Sequence, residues 1–261
     1  MASLLSSMLA AAEAAAPILT SHFARVAELT VVEKGTSDFV SIADTASEGA
    51  IRKALASSHP GIPFQGEETT TDRVTSGPRF VFDPLDGTTN FLRGIPQFAI
   101  SIAYCDDEGP AVAVTMDPCR GEVFTAERGK GAQLRTPNGA RVLGPLPPRA
   151  LDDAVVHTGV PHRGRGDHAR YLVQLERVMA RVNGVRRMGA AALDLAWVAA
   201  GRGDAFFELG LQPWDLAAGI LLVREAGGVV TDFSGGDDML TNTEVVAGAP
   251  RVHGELLALV R

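Results

Sequence analysis

The stretch RFVFDPLDGTTNF, Arg79 to Phe91, constrains the chain more than any other. Apolar and aromatic residues run into two carboxylates three apart, then a glycine and two threonines. A strand ending this way delivers Asp83 and Asp86 to a loop, where function concentrates. Pro84 sets φ and Gly87 frees it, so the chain can fold both carboxylates toward one point. Two close carboxylates repel, and one pKa rises unless a cation lies between them. A hard divalent cation such as Mg2+ takes oxygen ligands and often binds substrate phosphate. A solvated turn capped by Asp and Thr accounts for the same letters, so the other carboxylates must decide.

Two further segments supply them. GEE, Gly66 to Glu68, is a polar turn after the apolar Ile62 and Phe64. QPWDLAAG sets Asp215 in the first turn of a strongly apolar helix. Asp215 could simply balance the helix dipole. Trp214 and the apolar run that follows point instead to a partly buried charge, which needs a partner. One glutamate, two neighbouring aspartates and one distant aspartate can surround two metals, which together clamp the attacking and leaving oxygens of an in-line displacement.

The rest of the chain predicts mixed helix and sheet layers. Its 261 residues, 46% hydrophobic, can bury one large core or two modest ones sharing a face. Residues 4 to 28 and 44 to 57 read as helices, and RFVFD as a strand ending at the first carboxylate. FAISIAYC, PAVAVTM and GEVFTA read as successive strands separated by Gly, Pro and Asp. TPNGARVLGPLPPRALDD, rich in proline, reads as the internal boundary. It divides an N-terminal α+β half, 1–145, carrying most metal ligands, from a C-terminal α/β half, 146–261, contributing Asp215 and substrate contacts to one compact unit. Beyond it come strands at AVVHT, near Val185, and at DAFFEL, VVTDF and EVVAGA. Helices are expected over 168–180, 190–200, PWDLAAGILLVREAGG and VHGELLALV.

Charge and cysteine content narrow the function. A net charge of -7 argues against a general nucleic-acid or anionic-membrane surface. Cys105 and Cys119 form no CxxC or metal pattern and suit a reducing compartment. The apolar N-terminus MASLLSSMLAAAEAAAPILTSHF lacks an early positive charge and is interrupted by Glu13, so it reads as a packed helix rather than a signal peptide or membrane span. A cytoplasmic location is expected. His59, His157, His162 and His168 lack the grouping of a zinc set.

At this point the chain resembles the inositol monophosphatase family of magnesium-dependent, lithium-sensitive sugar phosphatases. The resemblance rests on GEET (Gly66 to Thr69), DPLDGTTNFLRGIPQFAISIA (Asp83 to Ala103) and PWDLAAGILLVREAGG (Pro213 to Gly228), supported by GAAALDLAWVAAGRGDAFFE (Gly189 to Glu208). It spans essentially the whole chain and implies the family's alternating αβαβα sandwich. It also implies roles. Glu67 resembles the first-metal glutamate that helps hold the attacking water, and Asp83 the aspartate shared by two metals. The Leu85 carbonyl resembles a backbone ligand, and Asp86 and Asp215 the ligands of the second metal. Two or three Mg2+ ions per site are implied.

Thr88 resembles the hydroxyl that orients the water, with Asp44 as its carboxylate partner, although Asp44 also reads as a helix cap before TASEG. The Gly87 and Thr88 amides are placed to meet phosphate at a short helix start. Thr89 and Asn90 read as internal hydrogen-bonding residues, and Phe91, Phe98, Ile100 and Ile102 as core.

Substrate contacts are implied at Asp86, Asp215, Glu208 and the small segment Gly189, Ala190 and Ala191. Glu208 resembles a carboxylate that accepts a ring-hydroxyl hydrogen bond, although an ordinary exposed glutamate reads the same way. Ala190 stands where many members carry Ser or Thr, which removes one polar contact. Lys34 matches a mobile-loop residue, or is a solvated lysine; Gly35, Thr36 and Ser37 would let that loop close. Arg186 matches a common basic residue, while Arg187 varies; neither reads as catalytic. The resulting expectation is Mg2+-dependent hydrolysis of a small phosphate monoester, foremost inositol 1-phosphate, by direct in-line attack of water in a homodimer. Histidinol phosphate, fructose 1,6-bisphosphate or a broad set of sugar phosphates are alternatives. A noncatalytic metal-binding dimer is a remoter one.

Overall fold

A computed structural model describes residues 3–26, 31–34, 38–68, 76–162 and 167–261, with the side chains of 31–34 and 38–41 outside that description. In chain order the elements are α1 (Leu4–Phe23), β1 (Val31–Lys34), β2 (Asp38–Ser41), α2 (Ile42–Ser58), β3 (Phe64–Gly66), β4 (Arg79–Asp86), α3 (Thr88–Leu92), β5 (Ala99–Asp106), β6 (Gly109–Asp117), β7 (Glu122–Glu127), β8 (Gly131–Thr136) and β9 (Gly139–Leu143). There follow β10 (Val155–Thr158), α4 (His168–Met179), β11 (Gly184–Arg186), α5 (Ala191–Ala199), β12 (Ala205–Leu209), α6 (Pro213–Glu225), β13 (Val229–Thr231), α7 (Met239–Asn242), β14 (Glu244–Gly248) and α8 (Pro250–Val260).

Strands β3 to β9 form a seven-stranded sheet in sequence order, parallel at β3–β4 and antiparallel beyond. A five-stranded sheet runs β11-β10-β12-β14-β13, with β11, β10 and β12 parallel and β14 antiparallel to both its neighbours. Helices α1 and α2 cover the outer face of the first sheet, α5 and α6 fill the space between the sheets, and α4 and α8 cover the outer face of the second. This is the expected αβαβα order, and it follows from side-chain alternation. Phe80 and Phe82 of β4 face the α1/α2 layer, while Val81 faces α6. In β6, Val112, Val114 and Met116 point outward and Ala113 inward. Helix α6 lies between two sheets, so Leu216 to Val223 are all buried and no polar stripe survives.

Several boundaries differ from the sequence reading. Helix α1 stops at Phe23 rather than 28. By length and composition it is apolar enough to cross a bilayer; here Met8, Ala11, Ala12, Ala15 and Leu19 are buried in the core under the first sheet. Helix α2 begins at Ile42, which places Asp44 inside its first turn rather than ahead of it as a cap. Strand β4 runs through Asp83 to Asp86, with a register shift between them, instead of ending at the first carboxylate. The proline-rich segment begins as a hairpin: Thr136 pairs with Gly139, and β8 and β9 extend the sheet, so the turn at Pro137–Asn138 is a β-connection.

Candidate active site

The bulge in β4 builds the centre. The strand pairs with β5 as Asp83↔Ser101 and then Asp86↔Ala99, so three residues of β4 span what two span on β5. The extra residue bends the strand and re-aims its side chains. The Asp83 carboxylate accepts the Leu85 N–H at 2.8 Å, which closes the bend. Ser47 of α2 donates to the Pro84 carbonyl at 2.9 Å and ties the bend to the outer helix layer. Gly87 follows with φ 93°, a left-handed conformation that a side chain would oppose, and α3 begins at Thr88.

From the other half of the chain, α6 brings Asp215. Its Oδ2 accepts the Gln212 N–H at 2.8 Å, half of a capping box that fixes the carboxylate at the helix start. Ser101 donates to the Trp214 carbonyl at 3.3 Å, stitching this helix start to β5 beside the bulge. As a result Asp83, Asp86 and Asp215 present oxygens that all lie within 4.8 Å of one another. Residues 129 positions apart in sequence thus share one point.

The electrostatics of this point favour a cation, or protons in its absence. Burial, and then the negative charges of Glu67, Asp86, Asp215 and Asp44, push the Asp83 carboxyl well above the ordinary range. Burial pushes Asp86 up to about 7, against hydrogen bonds from the Ala192 and Ala191 backbone and with the charges of Asp194 and Glu67. The Ala192 N–H donates to Asp86 Oδ2 at 2.7 Å, so the small-residue segment anchors a carboxylate. An all-oxygen donor set held this close, in a place that penalises its own negative charge, fits a hard divalent ion.

Around the centre lies a cleft of about 690 Å3, lined among others by Glu67, Leu85, Gly87, Thr88, Gly189, Ala190, Ala191 and Glu208. These sequence-derived candidates therefore meet the carboxylate triad. Thr88 donates its hydroxyl to the Leu85 carbonyl at 3.0 Å, which engages one side of that carbonyl. Asp44 is buried and close enough for its charge to act on Asp83, but it is not the expected partner of the Thr88 hydroxyl, which the β4 bend gives to the Leu85 carbonyl instead. Asn90 is internal as expected: its amide donates to the carbonyls of Gln97 at 2.8 Å and Met188 at 2.9 Å. Thr89 departs from the expectation, being exposed on the cleft wall. Lys34 ends β1, but its side chain, like residues Gly35, Thr36, Ser37 and Thr69, lies outside the described part.

Arg186 is not brought to the cleft. It is exposed and its guanidinium donates to the Val185 carbonyl, whereas Arg187 lines the cleft. Strand β11 ends at Arg186, and Arg187 is the first residue of the loop that leads to Gly189 on the cleft wall. Sequence reasoning also missed Asp194, buried on the cleft wall with an oxygen 2.7 Å from His157 Nδ1. Its position in the first turn of α5, just after the small segment, was the available signal. Burial first, then Asp194 and Asp215, raise the Glu208 carboxyl well above its ordinary value, and Arg187 opposes this.

Layered sheets, a carboxylate triad at a strand bulge and an adjacent helix start define a divalent-metal phosphoesterase. The chain belongs to the inositol monophosphatase family, whose description matches it over residues 1–261. This places it among Mg2+-dependent, lithium-sensitive phosphatases that hydrolyse phosphate monoesters. It is 48% identical over 260 residues to an inositol-1-monophosphatase of Mesorhizobium japonicum, covering 99% of this chain and 96% of that one. It is 42% identical over 252 residues to the Nus factor SuhB of Escherichia coli K12, covering 96% and 93%. The native crystal structure of the extragenic suppressor protein suhB from Bartonella henselae superposes with a TM-score of 0.92 at 43% identity, covering 100% of this chain and 99% of that one.

Proposed function

We propose that the chain hydrolyses inositol 1-phosphate by direct in-line attack of water, with two or three Mg2+ ions held by Glu67, Asp83, the Leu85 carbonyl, Asp86 and Asp215. The observation that carries this reading is the approach of three carboxylates, Asp83 and Asp86 buried and Asp215 half-buried, to within 4.8 Å beside the Gly87–Thr88 turn. When bound, Mg2+ supplies charge neutralisation at the reacting phosphate and a nucleophile from water at neutral pH. The chain's residues do the rest. Thr88 has committed its hydrogen to Leu85, so its lone pairs accept a hydrogen from the attacking water and orient it. Glu67, which lines the same cleft, helps hold this water, and the buried Asp44 acts through its charge on Asp83. The Gly87 and Thr88 amides receive the phosphate oxygens. Gly189, Ala190 and Ala191 leave room for the ring to approach backbone, and Glu208 accepts a ring hydroxyl. Asp86 and Asp215 border the same ring.

The same reading includes a homodimer, the commonest soluble assembly, a cytoplasmic location, and two sub-halves meeting at the 145/146 junction. The test is phosphate release at fixed Mg2+ from inositol 1-phosphate, histidinol phosphate, fructose 1,6-bisphosphate, glycerol 2-phosphate and a 3'-phosphonucleotide, compared by kcat/KM. Inositol 1-phosphate is expected among the best. A histidinol phosphate value at least about tenfold above all others overturns the substrate and leaves the metal chemistry standing. One observation favours a second, noncatalytic reading: a relative at 42% identity carries the name Nus factor. Absence of release from every ester, with Mg2+ shown bound by calorimetry, would select it.

A further inference from the structure

Resting on the reading of Glu208 as the ring-hydroxyl acceptor, we infer that Gly159 is the positioning residue that sets the polyol selectivity of this site. The two residues come from neighbouring parallel strands. Strands β10 and β12 pair as Val156↔Ala205, His157↔Phe206 and Thr158↔Phe207, so the next step along both chains sets Gly159 beside Glu208. Gly159 is buried on the cleft wall, and Glu208 enters the same cleft half-buried. A Cβ on Gly159 would lie 1.8 Å from Glu208 Oε1, 2.0 Å from Cδ and 2.2 Å from Oε2. The carboxylate therefore occupies the volume that any other residue at 159 would fill with its side chain.

Other glycines of the site cannot play this part. Gly87 and Gly189 adopt φ of +93° and +86°, so any side chain there strains the backbone itself. Gly159 has no such φ, so its backbone is outside the left-handed region that excludes alanine. The atoms in the way are the far end of a flexible side chain, not backbone. Alanine at 159 thus keeps the fold and moves the carboxylate. Neighbouring contacts hold Gly159 where it is: Thr158 donates to the Gly159 carbonyl at 3.1 Å and meets the Tyr171 hydroxyl at 3.2 Å, while Tyr171 stacks on Phe207. The strand cannot retreat from an added methyl, so Glu208 must. A ring hydroxyl then loses its acceptor, whereas an ester without a ring never used it. Shortening the acid by one methylene, as Glu208→Asp does, draws the carboxylate back from the new methyl.

The experiment measures kcat/KM for inositol 1-phosphate and glycerol 2-phosphate in wild type, Gly159→Ala, and Gly159→Ala combined with Glu208→Asp. Melting temperature is followed alongside. If wild type shows no preference for inositol 1-phosphate, the reading of Glu208 fails before Gly159 is tested. Given that preference, Gly159→Ala is expected to lower it about tenfold or more, chiefly through KM, with glycerol 2-phosphate turnover within about threefold of wild type. The double variant is expected to recover part of the preference. An unchanged preference in Gly159→Ala, an equal loss on both esters, or no recovery in the double variant overturns the proposal. If Gly159→Ala yields no folded enzyme, the double variant carries the test: restored folding supports relief of this contact, and continued failure refutes it.

Discussion

Asp83→Asn should make the metal-free protein more stable and the enzyme inactive. One side-chain oxygen from each of Asp83, Asp86 and Asp215 lies within 4.8 Å of the other two. At an effective dielectric of about 20, two full charges at that distance repel by roughly 3.5 kcal/mol. The metal-free protein escapes part of this by binding protons, since burial and neighbouring charges raise Asp83 and hold Asp86 at about 7. The amide of asparagine can keep accepting the Leu85 N–H. After these offsets the substitution should release about 2 kcal/mol, or roughly 4–8 °C in Tm at this chain length. Mg2+ reverses the order. At free Mg2+ of about 100 times Kd, wild type gains about 2.7 kcal/mol, and the variant, lacking the central charge, should gain under about 1 kcal/mol. Scanning calorimetry in EDTA and in Mg2+ reads both effects, and phosphate release should fall at least about a thousandfold. A variant that melts below wild type in EDTA, or that keeps the full Mg2+ shift, would refute the argument that this cluster is repulsive without its ion.

Thr88→Ala should lower kcat by about 100-fold while KM changes less than about threefold, because the hydroxyl orients water rather than substrate; a rise in KM with unchanged kcat would remove Thr88 from that role. Asp232→Asn should destabilise the C-terminal half in a pH-dependent way. Burial alone would raise the Asp232 carboxyl, but hydrogen bonds from Ser234, Gly236 and Asn242 hold it at about 2. Its folded-state pKa is depressed, so its contribution is complete above about pH 4 and is lost as pH falls through about 2. The shift corresponds to about 1–2 kcal/mol after solvent screening. Melts of the two proteins should differ at pH 7 and converge near pH 2; a constant gap across that window would show that the carboxylate charge is not the cause.

What the sequence determined by itself is local. Alternation of Phe80, Val81 and Phe82 specifies a strand buried on both faces, because successive side chains must leave opposite sides. Asp83 and Asp86 flanking a proline, followed by Gly87, specify a bend that carries acids, because Pro84 and Gly87 restrict and free φ in turn. Asp215 in the first turn of an all-apolar helix specifies a charge that must find a partner. These three patterns carry the layer order, the family and the metal chemistry. The tertiary structure alone decided which residues meet. The β4 bulge, visible only in the pairing to β5, re-aims Asp83 and Asp86 toward the start of α6. The end of β11 at Arg186 chose which arginine faces the cleft, since Arg187 opens the loop that leads to Gly189. Asp194 and His157, 37 positions apart, read separately as a helix acid and a strand histidine until packing between the sheets joins them. Gly159 carries no signal in one dimension, since its meaning is the Glu208 carboxylate delivered beside it by a parallel strand. Covalent geometry and side-chain polarity act over a few residues and can be read along the chain. Proximity across a sheet is set by register, and register is chosen by the packing of the whole core.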